Sequence, residues 1–120
     1  MAGRRLGSLV VVGTTYPVVE KDVGDDEAVT DTAAREIQIN PKIAAHGRPQ
    51  LIAHEAGHTV WHELGMTQSL AETMGLSQAV VDRIEEAIMC TFVPAYTDTL
   101  ERNGFLRTPA WTKRKLGGKR

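Results

Sequence analysis

A small α+β domain, with a three-strand sheet packed on two principal helices, is the fold this sequence predicts. Strand-like segments rich in β-branched residues or alternating in polarity fall before residue 41. A helical stretch with few charges runs from Pro49 to Leu64, and a second apolar helical period runs from Val80 to Phe92.

Ser8–Val12 and Tyr16–Glu20 read as strands joined through Gly13-Thr14-Thr15, a hairpin, with Pro17 marking the second strand as an edge. Lys21–Thr32, centred on Gly24-Asp25-Asp26-Glu27, reads as an acidic loop; it lacks the spaced oxygen ligands of a calcium loop. Arg35–Asn40 alternates and becomes a half-buried strand with Ile37 and Ile39 facing the core, closed by Pro41. Pro49 suits a first helical turn and Gly65 the left-handed residue past a helix end. Met66–Leu76 is a connection with a short helical turn around Ser69–Met74. Ser77 caps the next helix, Pro94 ends or kinks it, and the helical pattern resumes through Leu100 with Gly104 as a stop.

A chain of 120 residues holds one such domain, taken here as residues 1–112, followed by a basic flexible tail over 113–120. Five of the last eight residues are basic, which leaves the remainder at −6 within a net charge of −1. A tail of this kind is ordinarily solvated; contact with nucleic acid or an acidic partner is the lesser alternative. Aromatics make up only 5%, too few for a surface of stacked bases. The single Cys90 excludes an internal disulfide and a cysteine-rich zinc site, so any metal must be held by histidine and carboxylate. No apolar run suffices to span a membrane, and Leu9–Val12 is too short for a signal peptide, so a cytoplasmic protein is expected.

The most informative residues are His54-Glu55-Ala56-Gly57-His58. Residues i and i+4 of a helix share a face, so His54 and His58 can aim ring nitrogens at one cation. Glu55, about 100° round the helix, stays close without joining the pair, where a general base acting on an activated water belongs. The alternative is a buried helix whose histidines are satisfied core residues.

Two imidazoles and a water leave tetrahedral zinc one ligand short. His62 lies about 12 Å along the axis from His54, too far to converge easily on the same ion, and His46 precedes the helix in a loop. On the second helix, with Ile84 central to the buried face, Glu85 lies on the shoulder and Glu86 about 200° round. The wheel therefore favours Glu85 as third ligand, with Glu86 as the alternative.

His-Glu-Ala-Gly-His-Thr-Val-Trp-His at 54–62, followed by a helix bearing Glu85-Glu86-Ala87, resembles the small phage and prophage zinc metallopeptidases of the ImmA/IrrE type. The Arg-Glu-Ile-Gln-Ile strand and Leu-Glu-Arg-Asn-Gly-Phe at 100–105 extend the likeness over roughly residues 8 to 105. The resemblance implies a minimal zincin-like domain, zinc as cofactor, and a third ligand at the position of Glu85. Pro94 falls closer behind the glutamate pair than in longer members, which leaves the helix register open. Metzincins are excluded, since Leu64 stands where they need a histidine.

Together these readings predict a zinc metallopeptidase with His54, His58 and Glu85 as ligands and Glu55 as catalytic base, acting on a peptide or protein substrate. Tyr96 is a candidate to stabilise the oxyanion, with a plain core or surface tyrosine as its alternative. The competing function is a zinc-stabilised phage structural, assembly or regulatory module without catalysis, resident in host cytoplasm or virion.

Overall fold

The computed structural model describes residues 4–41, 48–107 and 109–113. Four strands come first: β1 (Arg5–Val11), β2 (Thr14–Glu20), β3 (Ala28–Asp31) and β4 (Glu36–Ile39). They form one sheet in the order β1-β2-β4-β3. β1 and β2 are antiparallel, β2 and β4 parallel, and β3 and β4 antiparallel. The chain is α+β, as expected, but its sheet has four strands in place of three.

The extra strand, β3, lies inside the acidic stretch that reads as a loop. It is only four residues long and every one of them is half-buried, so it carries no two-residue hydrophobic period. Asn40 supplies what its sequence lacks. This side chain is completely buried, and its Nδ2 donates to the carbonyls of Gly24 (3.1 Å) and Asp26 (3.2 Å). The Asn40 N–H donates to Glu27 O at 2.9 Å, so the approach to β3 is tied down beside β4.

Pro17 also stands differently. β2 is an interior strand, but β4 pairs only with Val18–Glu20, so the residue lacking an N–H falls outside that ladder. The β1–β2 turn is Val12-Gly13, both at positive φ (49° and 83°), the twist that suits a tight hairpin.

Helix α1 (Arg48–Glu63) crosses the sheet, and Gly65 (φ 63°) reverses the chain into α2 (Met66–Met74). Trp61 Nε1 donates to Thr67 Oγ1 at 2.9 Å and pins that reversal. Ser77 caps α3 (Gln78–Ala87) by accepting from the Val80 N–H. A five-residue π-helical segment, Ile88–Phe92, then leads without a break into α4 (Val93–Arg102). Pro94 therefore does not end the helix. A 3-10 turn, Ala110–Lys113, lays Trp111 over Gly7, where a Cβ would meet the indole at 2.3 Å.

α1 separates two apolar clusters. Ile52 faces the sheet and packs with Leu6, Val11, Tyr16, Val18, Ile37 and Ile39. Trp61 faces the helices and joins Val81 and Met89. Each such side chain contributes about 1.5–3 kcal/mol on burial. His54, Glu55 and His58 lie between these anchors, so both clusters fix their direction. Among the described residues, no helix is long and apolar enough to cross a membrane.

Tyr16, on β2, hydrogen-bonds through its hydroxyl to Glu63 at the end of α1, and Arg35 Nε lies 3.5 Å from the same carboxylate. Burial, then the hydrogen bond and negative charge of Glu63, push the phenol up to about 12. The fold thus favours the neutral phenol. Its contribution to stability is complete below about pH 10, where an unfolded tyrosine begins to ionise, and is lost as pH rises towards about 12. The stability difference between wild type and Tyr16→Phe, from denaturant midpoints between about pH 8 and 12, is expected to hold up to about pH 10 and shrink above it. A difference that stays flat to the upper limit contradicts the assignment.

Candidate metal centre

The two histidines meet as their spacing demands. His54 Nε2 and His58 Nε2 are 3.2 Å apart, and each ring is tied at its other nitrogen. His54 Nδ1 donates to the Met89 carbonyl at 3.0 Å, and His58 Nδ1 to Glu85 Oε2 at 2.6 Å. With the protons on both Nδ1 atoms, the Nε2 atoms face each other as lone pairs. Two acceptors at this distance repel unless a proton or cation lies between them.

The π-helical segment explains why Met89 O is free to accept. In an α-helix its partner would be the Val93 N–H, but that group bonds to Ile88 O instead. The next residue, Pro94, has no N–H to offer. The carbonyl is left without a helical partner and takes the imidazole. Gly57 makes this approach close enough: a Cβ there would stand 2.3 Å from Met89 Sδ. Its missing side chain serves packing between α1 and the π segment.

The third group differs from the one favoured by the helical wheel. Glu86 Oε1 lies 3.6 Å from His54 Nε2 and 3.9 Å from His58 Nε2, so the converging trio is His54, His58 and Glu86. Glu85, the expected ligand, is bonded to the outer nitrogen of His58. The wheel placed Glu85 correctly near the core, one turn beyond the fully buried Val81. From there its carboxylate meets His58 at Nδ1 and not at Nε2. His54 and His58 line the cleft, and Glu86, 60% exposed, is the carboxylate whose oxygen lies beside both Nε2 atoms.

Tetrahedral zinc with bonds of about 2.0–2.1 Å separates its ligand atoms by about 3.3–3.4 Å. The nitrogen pair matches that spacing within about 0.2 Å, and the exposed Glu86 needs only a modest side-chain rotation to close the remainder. Two imidazoles and a carboxylate form a borderline N/O set that suits zinc, and they leave one tetrahedral position open. Both rings carry an outer hydrogen bond of the kind that orients metal-binding histidines.

Glu55 is 7% exposed and lines the same cleft. Thr30 Oγ1 donates to Glu55 Oε1 at 2.7 Å. The cleft measures ≈ 950 Å³ and lies between the β3 side of the sheet and helices α1 to α3. His62 lines it without joining the trio. His46 lies outside the described residues. Tyr96 is not brought in: it is 54% exposed and stacks on Phe92, with ring centroids 5.4 Å apart.

Three groups escape a reading of the sequence. Thr30 sits in the unrecognised strand, the Met89 carbonyl has no side-chain signature, and Cys90 donates through Sγ to Glu86 Oε1 at 3.2 Å. That hydrogen bond, ahead of burial, raises the thiol pKa and keeps Cys90 protonated beside the carboxylate. Pro94, directly following Val93, was the available signal for the freed carbonyl.

The sequence matches no family model, and searches of curated proteins and of solved structures find no match to it.

Proposed function

We propose that this chain is a zinc-dependent metallopeptidase of the kind its His-Glu-Ala-Gly-His run resembles. The observation that carries the reading is the pair of Nε2 atoms facing each other at 3.2 Å, with their opposite nitrogens tied and the Glu86 oxygen alongside. His54, His58 and Glu86 would hold the ion, while Met89 O and Glu85 keep the rings in the binding tautomer. When bound, zinc lowers the pKa of water towards about 7 and polarises a carbonyl.

Glu55 supplies the base. Its carboxylate is withdrawn from solvent yet borders the cleft, so it can accept the proton of the attacking water and return it to the departing amine. The strand β3 supports a peptide as substrate. It is an edge strand of the sheet, and its Ala28 and Thr30, with Thr32 just past its end, line the cleft. An extended peptide laid along that edge gains main-chain hydrogen bonds while its scissile carbonyl lies over the histidines.

A second reading, a structural or regulatory zinc module, is favoured by one observation: the ion would cross-link α1 to α3, between the two apolar clusters. It leaves the buried carboxylate of Glu55 without a purpose. Elemental analysis tests the centre common to both readings. One equivalent of zinc is expected in the purified wild type and less than about a tenth of that in His58→Ala. Equal metal in the two proteins removes the proposal.

A further inference from the structure

We propose that Thr30 is a positioning residue for Glu55, holding one carboxylate oxygen so that the other is presented to the cleft; this rests on the metallopeptidase reading above. Thr30 Oγ1 lies 2.7 Å from Glu55 Oε1, against 3.4 Å from the Glu55 carbonyl, so its single proton goes to the carboxylate. Among the described residues no other side chain bonds to that carboxylate. A buried carboxylate on a three-bond side chain has rotamers to choose from, and this contact selects one.

The hydroxyl is itself held rigidly. Thr30 pairs in register with Ile37, which has no exposed surface and belongs to the sheet core. Its β-branched side chain has a stiff χ1 on a strand. On one side stands the sheet core, on the other the base. Because the same strand forms the outer edge of the sheet, a peptide that pairs with β3 would press on the residue that orients Glu55.

The matched substitutions are Thr30→Val, which keeps the shape and removes the proton donor, and Thr30→Ser, which keeps the donor. With the zinc-loaded full chain and an unstructured test peptide, Thr30→Val is expected to lower kcat about 10–100-fold with KM within about twofold. Thr30→Ser is expected to recover to within about threefold of wild type, with zinc at one equivalent throughout. A kcat for Thr30→Val within about twofold of wild type, or a Thr30→Ser as impaired as Thr30→Val, overturns the inference.

A cycle without substrate separates this idea from the peptidase reading. In denaturant unfolding, Thr30→Val should lower the midpoint of wild type and leave Glu55→Ala unchanged. If zinc-loaded wild type cleaves no peptide but this coupling is found, the peptidase reading fails and the Thr30–Glu55 contact stands. If the two substitutions are simply additive, the positioning role falls whatever the activity.

Discussion

Glu55→Gln is expected to reduce peptide hydrolysis by about 10²–10⁴-fold while zinc stays at one equivalent. Glutamine keeps the size of the side chain and can still accept from Thr30, so the buried position next to β3 is preserved. What disappears is the ability to take up a proton, because an amide oxygen is far too weak a base at neutral pH. Residue 55 is not one of the converging trio of His54, His58 and Glu86, which the substitution leaves untouched. Hydrolysis rates and metal content measured on the same preparation check both halves. A Glu55→Gln protein that cleaves at the wild-type rate rules out the assigned base; one that cleaves nothing but keeps its biological role favours the structural module.

The neighbouring glutamates are expected to separate sharply. Glu86→Ala removes an oxygen that lies beside both Nε2 atoms, so zinc affinity should fall by more than the roughly 10–100-fold that loss of an outer partner costs. Glu85→Ala removes the acceptor of the His58 Nδ1 proton and should fall within that range, with the ion still binding at higher concentration. Competition titrations with a chromophoric chelator order the two variants. If Glu85→Ala proves the more damaging, the wheel was right about the ligand and the observed side-chain arrangement is not the one that binds metal.

The places these two glutamates take show where sequence reasoning ends. Counting 100° per residue ranks positions on one helix by their distance from that helix's own buried face, and it ranked Glu85 as the inner residue correctly. It carries no information about which atom of a partner ring waits opposite. An imidazole has two nitrogens on different sides, and only the packing of α3 against α1 decides that the inner carboxylate meets Nδ1 and the outer one meets Nε2. The same limit hid Met89 O, since a main-chain acceptor acquires its role from a missing helical partner and not from its side chain.

Strand β3 failed to register for a related reason. Ala-Val-Thr-Asp holds only two strand-favouring residues, Val29 and Thr30, within a polar, acidic stretch, and what places it is a set of donors from Asn40, just past the end of β4. Local propensity is a weak prior that long-range hydrogen bonds override. By contrast the β1–β2 hairpin, the Ile37/Ile39 strand, the Gly65 reversal and the Ser77 cap were legible, because each depends on a dihedral preference or a period confined to a few neighbouring residues.

The sequence by itself therefore determined the α+β class, the helix that carries His54, Glu55 and His58, and the meeting of its two imidazoles, since i,i+4 spacing is a property of one helix. Only the tertiary structure decided that Glu86 faces them, that Met89 O and Glu85 orient them, and that Thr30 holds Glu55. These are contacts between elements far apart in the chain. Their geometry follows from how α1 is wedged between sheet and helices, and that is fixed by the summed packing of both apolar clusters and not by any local run of residues.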